Sequence, residues 1–174
     1  RKPAVAVFTL DDYVAAGIMN AHQAETLRAA VADRRNILVA GGTSTGKTTL
    51  TNALLAEVAK TADRVVLIED TRDRIPIGEV RGAEALDLLK AWGTGHPGGI
   101  GTIHAGSALG ALRRMEQLIQ EAVVTVPRAL IAETIQFIAV LAGRGSDRRL
   151  AELACVDGLG MGGDYVLHVA GDRP

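Results

Sequence analysis

The chain has 174 residues, 48% of them hydrophobic, with a formal net charge of −1 and a single cysteine. That length supports one well-formed core, and near-neutral charge with interspersed acids and bases argues against nucleic acid or acidic lipid as the main partner. Cys155 cannot form an internal disulfide, which suits a reducing compartment.

No window approaches the roughly 18 uninterrupted apolar residues of a membrane span. The most apolar stretch, 130–141, is broken by Glu133 and Gln136. Arg1-Lys2-Pro3 precedes an apolar run too short for a signal peptide. The chain starts without methionine, so it is expected to be a trimmed piece of a longer protein.

In chain order, Thr9 with Asp12 predicts a capped short helix over 10–16, ended by Gly17. Asn20 with Gln23 opens a second helix carrying Leu27, Ala30 and Val31 on one face. Residues 36–40 read as a buried strand ending in Gly41-Gly42. A helix over 47–60 follows, with Leu50, Leu54, Leu55 and Val58 facing the core. Residues 65–68 and 75–80 read as two more buried strands, and 83–92 as a helix whose Leu86, Leu89 and Trp92 are core. Helices are expected over 107–122 and after Pro127. Three apolar runs (137–141, 150–156 and 165–169) separated by Gly and Asp turns predict a small C-terminal antiparallel meander.

The fold class expected is α/β, a mainly parallel sheet flanked by helices. Residues 1–35 are read as a leading segment and 36–174 as the main domain. One junction conflicts with this. Parallel neighbours need a crossover of about a dozen residues or more, whereas Thr71-Arg72-Asp73-Arg74 supplies far less. A tight hairpin lacks its Asn-Gly or Asp-Gly turn there. A crossover segment is therefore expected to be missing near 71–74.

The strongest motif is Gly41-Gly42-Thr43-Ser44-Thr45-Gly46-Lys47-Thr48, a P-loop between a predicted strand and a predicted helix. Gly41 and Gly46 let backbone N–H groups converge on a phosphate, aided by the helix N-terminus. Lys47 supplies a point charge to the β- and γ-phosphates, and the Thr48 hydroxyl is a ligand for Mg²⁺. Thr49 completes the cradle. A plain glycine-rich turn would not explain Lys47 and Thr48. Gly42-Thr43-Ser44-Thr45-Gly46 also spells a nucleophile elbow, and Asp70 with His104 or His168 could complete a serine hydrolase. That rival leaves Gly41, Lys47 and Thr48 without a role.

Within Ile75-Pro76-Ile77-Gly78-Glu79-Val80-Arg81, Glu79 stands near the carboxyl end of the strand read over 75–80 and, beside a P-loop, would orient or deprotonate an attacking water. Glu69 and Asp70 end another predicted strand at the same sheet edge. Each could hold Mg²⁺ through water or position the lytic water, or simply cap the next segment. Around Thr94-Gly95-His96 and Thr102-Ile103-His104 two histidines flank a glycine-rich turn. His104 is read as a γ-phosphate contact, and zinc spacing is lacking. His96 is as readily structural, and His22 and His168 get no functional role.

In this order the motifs resemble the secretion-ATPase family of type II and type IV secretion, conjugation and retractable pili. The P-loop, the acidic box Leu67-Ile68-Glu69-Asp70, the Walker B segment Gly78-Glu79-Val80-Arg81 and the histidine box cover nearly the whole chain. The conjugal-transfer branch is the most similar, through residues 79–86 and 108–114. The resemblance implies a RecA-like ATPase domain, homohexameric rings, Mg-ATP between subunits and peripheral attachment to the cytoplasmic face of the bacterial inner membrane, beside secretion or conjugation components. It also implies an N-terminal domain before Arg1 and an arginine-containing crossover between the acidic box and Walker B. The expected activity is ATP hydrolysis powering transfer or pilus assembly; the alternative is a nucleotide-gated assembly module with negligible hydrolysis. No Asn-Lys-x-Asp guanine-reading segment is present, so ATP is favoured over GTP. Ser44-Thr45 stands where the family usually has Gly-Ser, Gly106 replaces a common Asn, and Pro76 interrupts a strand. If Ser44 takes a positive φ, the strain is on the order of 1 kcal/mol.

Overall fold

The computed structural model describes residues 8–61, 82–94 and 97–170. The expected strands over 65–68 and 75–80, the junction at 71–74, and Glu69, Asp70, Glu79, Gly95 and His96 lie outside the described residues.

Local chemistry starts the first two helices as the sequence predicts. For α1 (Leu10–Ala15), Thr9 Oγ1 accepts from the Asp12 N–H at 3.2 Å and the Asp12 carboxylate accepts from the Thr9 N–H at 2.8 Å. For α2 (Ala21–Ala32), Asn20 and Gln23 exchange the same reciprocal bonds at 2.7 and 3.0 Å. Each pair satisfies donors that a helix start otherwise leaves open. Both helices pack into the core, with Leu10, Tyr13 and Leu27 fully buried.

The remaining elements are β1 (Ile37–Gly41), α3 (Lys47–Val58), α4 (Gly82–Gly93), β2 (Ile100–Ile103), α5 (Ala108–Gln120), α6 (Arg128–Thr134), β3 (Phe137–Ala142), β4 (Arg149–Leu159) and β5 (Tyr165–Val169). Among the described residues the sheet order is β2-β1-β3-β4-β5. β1 runs parallel to both β2 and β3, whereas β3–β4 and β4–β5 are antiparallel.

The expected C-terminal meander is present, but its place needs correction. It is no separate small addition, because β3 sits inside the sheet, parallel to β1 on one side and antiparallel to β4 on the other. The reason lies in its composition. Phe-Ile-Ala-Val-Leu-Ala has no polar face, which suits a strand in the middle of the sheet with helices over both faces.

Helices cover the two faces separately. Leu38, Ala40, Ile103 and Val140 face a core shared with α4, α5 and α6. Val39, Ala139 and Leu141 face a core shared with α1, α2 and α3. At the amino ends of the strands, buried Asn36 ties three segments together. Its Oδ1 accepts from Gly98 N and Gly99 N at 2.9 Å each, and its Nδ2 donates to Thr134 O at 2.8 Å.

Candidate nucleotide site

The site begins where β1 leaves the sheet. All five residues of β1 are buried, which fixes the height and direction of the loop that follows. Gly41 admits no side chain: a Cβ there would stand 2.5 Å from Thr45 Oγ1 and 2.8 Å from Leu141 O. The loop then turns through Ser44 (φ 63°) and Gly46 (φ 97°), both left-handed. Ser44 thus takes the positive φ at a position the family usually gives to glycine, and the strain is on the order of 1 kcal/mol. Thr45 holds the turn, its hydroxyl donating to Gly42 O at 2.9 Å.

Gly46 is the N-cap of α3 and offers no side-chain cap. The first turn of α3 therefore keeps its backbone donors, and the positive end of its dipole, for an anion. Lys47 folds back over the loop, with Nζ donating to Gly41 O at 2.9 Å and Gly42 O at 3.0 Å. Thr43, Ser44 and Thr48 are exposed on the loop and first turn, and Thr49 is half-buried.

His104 arrives at the same edge by strand register. Ile103 pairs with Ala40, so His104 leaves β2 beside the point where Gly41 leaves β1, one strand spacing of about 4.8 Å away. His104 is exposed. The structure thus brings Gly41 to Thr49 and His104 to one sheet edge. The remaining site candidates, Glu69, Asp70 and Glu79, lie outside the described residues.

Two further residues at this edge belong to no motif in the sequence. Arg148, from the turn before β4, lies against Gly46: a Cβ on Gly46 would meet its Nε at 3.0 Å and Cζ at 3.1 Å. Among the described residues that Nε is buried without a hydrogen-bond partner, as is the Tyr13 hydroxyl. Burial pushes the Tyr13 phenol up to about 12, against the opposing pull of the Arg148 charge. The second is Glu152 on β4, whose carboxylate accepts from the Ala108 N–H at 2.7 Å, at the start of α5. The only sequence signal for Arg148 is an arginine-rich, glycine-rich turn, Arg144 to Arg149. For Glu152 it is an acid within the otherwise apolar run 150–156.

The serine-hydrolase arrangement with His168 is not assembled. Ile37, Phe137, Cys155 and His168 share one row across the sheet, at the amino end of β1, while Ser44 follows its carboxyl end. His168 Nδ1 instead pairs with Asp157 at 2.5 Å.

Residues 3–73 and 71–151 match the family described as type II/IV secretion system protein. The chain belongs to this family. It is 40% identical over 192 residues to the conjugal transfer protein TrbB of Rhizobium radiobacter, covering 91% of this chain and 59% of that protein. The type IV secretion system protein PtlH of Bordetella pertussis is 34% identical over 182 residues, covering 76% of this chain and 53% of that one. The fold is similar to that of the VirB11 ATPase from the Brucella suis type IV secretion system, solved in complex with sulphate. The TM-score is 0.62 at 24% identity, covering 88% of this chain and 64% of that one. The chain thus spans 53% to 59% of the length of the two curated relatives.

Proposed function

We propose that this chain is the RecA-like, nucleotide-binding part of a Mg²⁺-dependent ATPase that powers conjugative transfer, type IV secretion or pilus assembly. The observation that carries the reading is the loop itself. A buried strand, a turn with no room for side chains at Gly41, and an uncapped helix N-terminus converge beside a lysine. Nothing in that arrangement needs a protein partner, and all of it suits a phosphate chain.

On nucleotide binding, Lys47 exchanges the Gly41 and Gly42 carbonyls for β- and γ-phosphate oxygens, and the N–H groups from Gly42 to Thr49 line the phosphates. The donor set also fits a bound Mg²⁺. No group of three or more His, Cys, Asp or Glu side chains gathers among the described residues. The ion would therefore be held by Thr48, phosphate oxygens and waters, with Glu69, Asp70 or Glu79 reached through water. It would supply charge neutralisation on the phosphates. Glu79 orients or deprotonates the attacking water, and His104 contacts the γ-phosphate. Residues 36–174 form the catalytic domain, and residues 1–35 lead into it.

The family match breaks at residues 71–73, which supports the reading that a crossover between acidic box and Walker B is missing there. Family membership supports homohexameric assembly, ATP at subunit boundaries, and a peripheral position on the cytoplasmic face of the inner membrane with secretion or conjugation components. Among the described residues no helix is long and apolar enough to cross a membrane. Direct nucleic-acid binding is not part of the proposal, given the net charge of −1.

Phosphate release from the full-length protein, compared with Lys47→Ala and Glu79→Gln, tests the reading. Turnover should fall by at least about a hundredfold in both variants, while Glu79→Gln retains nucleotide binding. A hexameric wild type that binds ATP without turnover would point to the nucleotide-gated assembly module instead.

A further inference from the structure

Glu152 is the one acid in a row of the sheet that is otherwise apolar. Ile103 pairs with Ala40, Ala40 with Val140, and Val140 with Glu152, so these four residues run straight across β2, β1, β3 and β4. The first three are buried in the core that α5 covers. The row lies at the carboxyl edge of the parallel strands, one residue before the P-loop on β1 and one residue before His104 on β2.

At the end of that row the half-buried Glu152 carboxylate accepts from the Ala108 N–H at 2.7 Å and has no ion-pair partner among the described residues. Such a bond is favoured by the positive end of the α5 dipole and by the charge on the acceptor. Local capping is already provided by Ser107, whose Oγ accepts from the Gly110 N–H at 3.0 Å. The two side chains therefore do different jobs. Ser107 travels with the helix, whereas Glu152 ties the start of the helix to β4.

That tie bears on His104. Residues 104–107 join β2 to α5, and they start from a strand three positions across the sheet from β4. Three strand spacings come to about 14 Å, a gap that the five Cα steps from Ile103 to Ala108 and the Glu152 side chain bridge together. Within the segment Ala105 packs half-buried against the core, whereas His104, Gly106 and Ser107 are exposed and a Cβ on Gly106 would meet nothing within 4 Å.

We propose that Glu152 is a positioning residue for the hydrolytic site: by clamping the Ala108 N–H it fixes the far end of residues 104–107 on the sheet and so sets His104 against the P-loop. The kinetic consequence rests on the His104 role in the proposed function, whereas the clamp itself does not.

Two measurements on the full-length protein separate these. Amide hydrogen exchange over residues 104–108 should speed up at least about tenfold in Glu152→Ala and return close to wild type in Glu152→Gln, which keeps an acceptor oxygen. This readout needs no turnover, so it stands even if the ATPase reading fails. Unchanged exchange in Glu152→Ala, or no recovery in Glu152→Gln, overturns the clamp. In steady-state kinetics, Glu152→Ala should lower kcat by about 10- to 100-fold with KM for ATP within about twofold, the cost of a displaced group rather than of lost binding. In a His104→Ala background the same change should have no further effect on kcat. Full additivity of the two substitutions, or a loss carried by KM, would show that Glu152 does not act through His104. Loss of turnover in Lys47→Ala, measured alongside, reports separately on the ATPase reading.

Discussion

The two ends of β1 follow opposite rules. At the amino end every polar group of Asn36 is used: beyond its three side-chain bonds, its N–H donates to Gln136 Oε1 at 2.7 Å and its carbonyl accepts from Gln136 N and Phe137 N at 3.2 and 3.1 Å. At the carboxyl end, a few residues away, Ser44 is held at φ 63°, Lys47 Nζ donates to carbonyls of its own loop, and buried Tyr13 Oη and Arg148 Nε have no partner among the described residues. A fully satisfied buried network gives stability and a single arrangement. A left-handed serine, a lysine donating to its own loop's carbonyls and two unmet buried donors suit the edge at which the nucleotide is proposed to bind, although left-handed Arg34 (φ 54°) shows that strain is not confined to it. One strand thus carries a structural end and, on the proposed function, a working end.

The largest expected effect breaks the structural end. Asn36→Ala removes the acceptor of two N–H groups and the donor to Thr134 O, leaving buried groups without partners. It should destabilise the fold by about 3 kcal/mol or more, read as a lower denaturant midpoint at unchanged slope. An equal fall in nucleotide affinity of the folded fraction would erase the contrast between the two ends.

A smaller effect tests the working end by pH. The Tyr13 phenol is pushed up to about 12 by burial, above its ordinary value of 10.0. Its contribution to stability is fully present below pH 10.0 and is lost as pH rises toward about 12, because the unfolded chain ionises first. Tyr165 is also pushed up, chiefly by burial, and adds to the same decline. Tyr13→Phe should flatten the decline in part and leave neutral-pH stability unchanged or slightly higher, since the hydroxyl has no partner to lose among the described residues. A steep loss of stability in Tyr13→Phe at pH 7 would mean that the hydroxyl is satisfied after all.

The smallest effect sharpens the contrast. Ser44→Gly relieves a left-handed residue, yet also frees the unfolded chain, so the net gain should be a few tenths of a kcal/mol and at most about 1. Thermal unfolding with and without nucleotide reads it. A destabilised Ser44→Gly would show that the serine side chain holds the loop.

Much of the candidate site is legible in the sequence. The P-loop and both capping boxes are contiguous, their geometry set by dihedral preferences and by bonds between residues three apart. The helix expected over 47–60 and the strand expected over 36–40 agree with α3 and β1 to within a residue or two, because their apolar spacing matches the period of each element. The expected meander is right in its pairing and wrong in its independence, since the pattern along β3 says that both faces are buried but not which strand lies alongside.

By itself, then, the sequence determined the loop from Gly41 to Thr48 with its left-handed turns, the helix starts and the family, because each is written in neighbouring residues. Only the tertiary structure decided that β3 lies beside β1, that Arg148 comes to rest on Gly46, and that Glu152 reaches across to Ala108. Those meetings join residues far apart in the chain. Strand pairing creates them, and no local pattern encodes which strand will be the neighbour.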